Sequence, residues 1–409
     1  MTNVVRDFQS NIFQHEQPMT PPRPIRVLHL IETPGPGGAE RIFLDLAKNL
    51  GHEYHPILGL LRTGWVSSQG IMLGMPVVTI NGGSLSDFSI LFRLIRLVHM
   101  HEVALIHAHE FYMSVLGAVV SKLTGVPLII TVHGKNYYPE RLRRQLMYRM
   151  AASQARAVVA VSGDLRMFFS KVTGFSAASM AVVYNGVDCA RFRNLRRDPA
   201  ILTSLGVPLD ASIVGTVGNL YPVKGHTFLL QALKLILGRV PNTHVVILGR
   251  GELKESLTAQ AEALGIRDRI HLVGFRDEVS PWLAVMDVYI MSSLHEGLPV
   301  SLLEAMAAAL PVVVTSAGGM EELVRDGETG LVVKPADPND LATKIMLFLN
   351  NPFLAKDLGR AAQAFVSEKF SLTRMVSDYC HLYREAIGGR HPLVAPPGSR
   401  QAPSMARPN

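Results

Sequence analysis

The sequence predicts an α/β protein made of two doubly wound domains that face each other across a cleft. Three observations predict it. The chain has 409 residues, and at roughly 100–200 residues per domain that is enough for two. Short apolar runs alternate with helical patterns along most of its length, the signature of βαβ units around a parallel sheet buried on both faces. The alternation then restarts after Pro208. Two consecutive units of this kind are two Rossmann-like domains.

Residues 1–24 are polar and end in TPPRP, so a disordered tail is expected there. The first domain is expected over residues 25–187. Its strand candidates are residues 25–31, 55–61, 76–80, 104–109, 127–133, 157–162 and 180–185. Residues 188–208 are basic, bounded by proline and poor in strand signal, and they read as the linker. The second domain is expected over residues 209–369, with strands at 212–218, 244–249, 270–274, 288–293, 311–316 and 330–334. Helical patterns such as HTFLLQALKLILGRV and LKESLTAQAEALG fit between them. A helix at 370–387 is expected to return to the first domain. Residues 388–409, rich in Pro, Gly and Ser, read as a second disordered tail. Ligands of such sheets bind outside the carboxyl ends of the strands, so both sheets should point those ends into one cleft.

Hydrophobic residues make up 48% of the chain and charged residues 18%. The longest apolar stretch, SVLGAVVSKLTGVPLIITV, is interrupted by Lys122, Gly125 and Pro127. It reads as helix, turn and strand rather than the roughly 20 unbroken apolar residues of a spanning helix. The first residues lack a basic region followed by an apolar core. Two cysteines are too few for a disulfide framework, so a cytoplasmic location is expected. The net charge of +7 is concentrated in two clusters. One is Lys135, Arg141, Arg143, Arg144 and Arg149; the other is Arg191, Arg193, Arg196 and Arg197. Such clusters suit phosphates or an anionic membrane surface. A solvated helix face is the other reading. Read as a helix from about Pro139, residues 135–149 and their continuation place Leu142, Leu146, Met147 and Met150 on one side. No motif points to nucleic acid.

The chemistry concentrates in SSLHEGLPVSLLEAMAAALPVVVTSAGG, residues 292–319. It reads as strand end, loop, helix, strand and two glycines. The helix begins near Pro299, a residue favoured at the first turn. The free N–H groups of Val300, Ser301 and their neighbours make an anion site suited to a diphosphate. Glu296 lies before that helix and Glu304 inside it, among apolar neighbours where a charge needs a partner. A carboxylate accepts two hydrogen bonds and so matches a sugar or ribose diol. His107 and His109 share one face of a strand and could hold a metal, but a third ligand is not evident in the sequence.

HEGLPVSLLEAMAAALPVV resembles the E-x(7)-E motif of glycosyltransferase family 4, a retaining, nucleotide-sugar-dependent family with the GT-B fold. Other pieces come in the family's order: GPGGAER (35–41), TVHG (131–134), VVAVSGDLRMFF (158–169), VVYNGVD (182–188), VGNLYPVKGHTFLLQA (217–232), GFRDEVSPWLAVMDVYIMSS (274–293) and GGMEELVRDGETGLVV (318–333). The resemblance spans about residues 25–388. It implies that Gly37 and Gly38 let the first loop approach the donor phosphates or the acceptor, and that His133 sits near the anomeric centre. It implies that Lys224 neutralises the diphosphate leaving group, that the backbone from Arg276 to Val279 holds the base, that Glu296 contacts sugar hydroxyls, and that Glu304 contacts the ribose. His133, Lys224 and Glu296 are the catalytic candidates. Gly218, Asn219, Arg250, Gly297, Leu298, Val300 and Ser301 complete the donor-binding set.

No metal or other cofactor is expected, because lysine and helix N–H groups take its place. The sequence departs from the family at one point. An arginine often stands a few residues before the lysine, and Gly218-Asn219-Leu220-Tyr221-Pro222-Val223-Lys224 has none; Arg250 or another basic residue is expected to replace it. The expected activity is retaining transfer of a hexosyl group from a UDP- or GDP-type donor to a sugar or lipid-linked acceptor, in polysaccharide or glycolipid assembly. The enzyme would be cytoplasmic and peripheral to the inner membrane face. Two other readings fit the same residues: a sugar-nucleotide epimerase, and a non-catalytic sugar-nucleotide-binding protein.

Overall fold

A computed structural model of the chain describes residues 24–80, 88–135 and 142–388. Both expected tails lie almost wholly outside the described residues, as do Tyr137, Tyr138, Pro139, Glu140 and Arg141 of the basic segment.

The first sheet contains Ile25–Ile31 (β1), Tyr54–Leu60 (β2), Val77–Thr79 (β3), Leu105–His109 (β4), Leu128–Val132 (β5), Ala157–Ala160 (β6) and Met180–Val182 (β7). Its order is β3-β2-β1-β4-β5-β6-β7, and every pairing is parallel. The second sheet contains Ser212–Val217 (β8), Thr243–Leu248 (β9), Ile270–Gly274 (β10), Val288–Met291 (β11), Val312–Thr315 (β12) and Leu331–Val333 (β13). Its order is β10-β9-β8-β11-β12-β13, again all parallel. These are two doubly wound sheets, and each predicted apolar run overlaps one of their strands.

The central strands are apolar at consecutive positions because helices cover both faces: β5 and β9 are buried throughout. Truncating a residue such as Leu128 to alanine costs about 2–5 kcal/mol. Several strands stop earlier than the apolar runs suggest. His133 falls just past β5, and Tyr184 and Asn185 lie past β7. Asn185 leaves the sheet because its amide donates to the Leu298 carbonyl of the other half at 2.7 Å. Residues 188–208 are not featureless: they hold a 3₁₀ turn, Cys189–Phe192, and a helix, Pro199–Ser204, capped by Asp198.

The helix Leu372–Ile387 crosses back onto the first sheet. Met375, Tyr379, Tyr383 and Ala386 are buried in one cluster with Val27, Leu105, Ile129 and Val159. Each sheet reverses its winding at one place, between β1 and β4 and between β8 and β11. Such switch points open a crevice at the strand ends. Among the described residues no helix is long and apolar enough to cross a membrane.

Candidate active site

The loops after β1, β4, β8 and β11 meet in a cleft of about 480 Å³. It is lined by Gly37 and Gly38 from the first loop, Glu110 after β4, Gly218 to Lys224 after β8 and Glu296 to Ser301 after β11. The structure brings the catalytic and donor-binding candidates to this one place: His133, Lys224, Arg250, Arg276, Gly297, Leu298, Val300 and Glu304 line it too.

The helix Val300–Ala307 starts at Pro299, whose extended backbone (φ −73°, ψ 120°) sets the first turn toward the cleft. The Ser301 hydroxyl donates to the Val217 carbonyl at 2.9 Å and ties that turn to the end of β8. Glu304 is 5% exposed. Burial pushes its carboxyl up to about 7, against the pull of Arg41. The nearest guanidinium nitrogen of Arg41 is 3.8 Å away.

Glu296 accepts from Lys224 Nζ and from the Ser293 hydroxyl, both at 2.6 Å. A largely enclosed lysine is thus aimed across the loop by a carboxylate. Gly297 is needed by the packing: a Cβ there would collide with the His133 carbonyl, and one on Gly319 would collide with the Gly297 carbonyl. The loop carrying Glu296 is therefore pressed between the two domains.

His133 accepts or donates a 2.7 Å hydrogen bond between its Nε2 and His109 Nδ1, and burial pushes its imidazole down to about 4. Behind it lie His107 and His29. His107 bonds the Tyr383 and Thr131 hydroxyls at 2.6 and 2.8 Å. His29, from β1, supplies the third imidazole that the sequence did not reveal: the ligand atoms of His29, His107 and His109 lie within 4.8 Å of one another. It faces His107 directly in the β1–β4 register.

Several cleft residues had no sequence-derived role. Glu40 and Glu110 are buried on the first-domain side. Burial, then the neighbouring Glu110, pushes Glu40 up to about 8. Burial, then Glu32, pushes Glu110 up to about 7. Glu110 accepts from the Thr33 hydroxyl at 3.1 Å and has φ +66°, costly for a residue with a Cβ. Trp65 donates to Asp277 at 2.6 Å. Arg276 lies 5.2 Å over the Trp282 ring and donates to the Phe275 carbonyl.

The basic clusters are placed in part. Lys135 lines the cleft and pairs with Asp164 at 2.7 Å. Arg191 and Arg197 pair with Glu278 and Asp287 of the second domain, so half of the second cluster ties the linker to that domain.

This fold and cleft define a GT-B glycosyltransferase. Residues 36–191 match the model of Glycosyltransferase Family 4, and residues 199–365 match that of Glycosyl transferases group 1. The chain belongs to this family and is a glycosyltransferase. It is similar to a UDP-Gal:alpha-D-GlcNAc-diphosphoundecaprenol alpha-1,3-galactosyltransferase of Escherichia coli, 23% identical over 89% of this chain and 97% of that one. It is 28% identical to a D-inositol 3-phosphate glycosyltransferase of Streptomyces bingchenggensis over 70% of this chain and 67% of that one. Among solved structures it resembles HepE of Anabaena bound to UDP-glucose. That likeness has 26% identity and a TM-score of 0.78 over 87% of this chain and 98% of that one.

Proposed function

We propose that the protein is a retaining glycosyltransferase that moves a hexosyl group from a UDP- or GDP-linked donor to an acceptor hydroxyl in polysaccharide or glycolipid assembly. The observation that carries the reading is the placement of Glu296 and Glu304 around one helix start that also faces Lys224 and the Gly37–Gly38 loop. Glu304 takes the ribose diol. Glu296 takes sugar hydroxyls. Lys224 and the free N–H groups at Val300 and Ser301 take the diphosphate, whose charge grows as the glycosidic bond breaks. The leaving diphosphate helps to accept the proton of the incoming hydroxyl on the same face of the sugar, which keeps the anomeric configuration. No metal takes part, so activity should survive EDTA; full loss restored by magnesium or manganese would refute this. A thermal-shift screen against a panel of nucleotide sugars tests the reading, because a ligand that binds only the native state raises its apparent stability. A flat response to every nucleotide sugar would sink it.

The acceptor in this reading is lipid-linked, as is that named for the E. coli relative. The helix Leu142–Gln154 supports it. That helix packs inward through Tyr148, Ala151 and Ala152. Leu142, Leu146 and Met150 are 83%, 59% and 65% exposed beside exposed Arg143, Arg144 and Arg149. Apolar side chains bordered by arginines suit an anionic bilayer, and each basic residue adds about 1 kcal/mol at low salt. Reversing Arg143 and Arg144 to glutamate should weaken sedimentation with anionic vesicles well over tenfold and leave nucleotide binding intact. If the wild type ignores such vesicles at low salt, these arginines are a solvated face.

A further inference from the structure

The segment before Lys224 carries no arginine, so the diphosphate must draw part of its positive charge from elsewhere in the cleft. The cations there differ in what holds them. Lys224 is held by Glu296 and Lys135 by Asp164. Arg276 is folded over Trp282, and Arg250 lies over the Phe275 ring beside the Gly35 loop. Arg41 is placed differently. It stands in the first turn of the helix Gly38–Asn49, on the first domain. Yet it donates to the Asp277 carbonyl at 2.9 Å and pairs with Glu304, both on the second domain.

A buried carboxylate needs a compensating charge, and Arg41 supplies it to Glu304. A ribose diol would give Glu304 two hydrogen-bond donors and remove that need. The same nucleotide carries two phosphates on the 5′ oxygen of that ribose. A guanidinium presents a planar fork that fits phosphate oxygens in pairs. We infer that Arg41 is a donor-phosphate ligand: its guanidinium stands beside Glu304, and a ribose diol on that carboxylate leaves the fork to engage the diphosphate. The inference rests on the reading of Glu304 as the ribose carboxylate. It gives the first domain a direct charge contact with the donor.

Calorimetry with UDP, uridine, GDP and guanosine tests it on the wild type and on Arg41→Ala, Arg41→Lys and Glu304→Gln. Arg41→Ala should weaken binding of the nucleotide that the wild type prefers by at least about tenfold, the worth of a charge-assisted hydrogen bond. It should leave the matching nucleoside unchanged or bound more tightly, because Glu304 has lost its competitor. Arg41→Lys keeps the charge without the fork and should fall between. Glu304→Gln should weaken nucleoside and nucleotide alike. If Arg41→Ala unfolds, Arg41→Gln, which keeps the stem, replaces it. Equal losses for nucleoside and nucleotide in the Arg41 variants, or no loss for either, would overturn the role given to Arg41 and leave the donor site standing. A wild type that binds none of the four would overturn the donor site and this inference together.

Discussion

The two walls of the cleft are built by the same topology but carry opposite chemistry. The second-domain wall presents Lys224, Arg250, Arg276 and a helix start, with its two glutamates engaged by cations. The first-domain wall presents Glu40 and Glu110, raised to about 8 and about 7, and His133, lowered to about 4. Near neutral pH His133 is uncharged, and much of the carboxyl population of Glu40 and Glu110 is protonated. One wall is thus made for an anion. The other offers groups that hydrogen-bond without much charge, which suits a hydroxyl. In the proposed function, the same strand-end geometry would serve donor or acceptor according to which charges its loops carry.

The largest test of this contrast is on the charged wall. Lys224→Ala should lower transfer on the order of 10²–10³-fold, the typical cost of removing one preorganised donor to developing charge. Part of that loss comes from Glu296, left with the Ser293 hydroxyl as its described donor. Glu296→Gln and Glu304→Gln should each cost at least about tenfold, about 1.4 kcal/mol, with the fold kept. Wild-type turnover in both would dissolve the distinction between the walls.

The smaller test is on the opposite wall and reads stability against pH. A carboxyl raised in the folded state contributes stability that is full below its unfolded value. That stability is lost as pH rises through the folded one. Between about pH 4.5 and pH 8 the wild type should therefore lose stability through Glu40 and Glu110. Each contribution scales at about 1.4 kcal/mol per pH unit of its shift and is larger for Glu40 than for Glu110. Glu40→Gln and Glu110→Gln should flatten the decline of the melting temperature from pH 6 to pH 9. An unchanged slope in both would mean that these carboxyls ionise freely.

The strands were legible because each is a short apolar run between turn signals. The helix-start part of the second-domain wall was legible because Glu296, Pro299 and Glu304 lie within nine consecutive residues. Glu110 and His29 were not legible. Their place depends on β1 lying beside β4, a consequence of sheet order that no local pattern encodes. Trp65 and Arg41 meet the second domain only through folding of the whole chain. The partner of Lys135 was not legible, because charge counts along a segment ignore direction; its side chain turns toward Asp164.

The imidazoles behind the cleft have one more consequence. His29 is held down to about 3 and His133 to about 4, while His107 and His109 lie well below their ordinary value near 6.5. Folded, they refuse protons that the open chain would accept. Stability from them is whole above pH 6.5 and drains away as pH falls toward 4. The first domain therefore contains an acid fuse, in which unfolding consumes protons and each imidazole released makes refolding in the same medium harder.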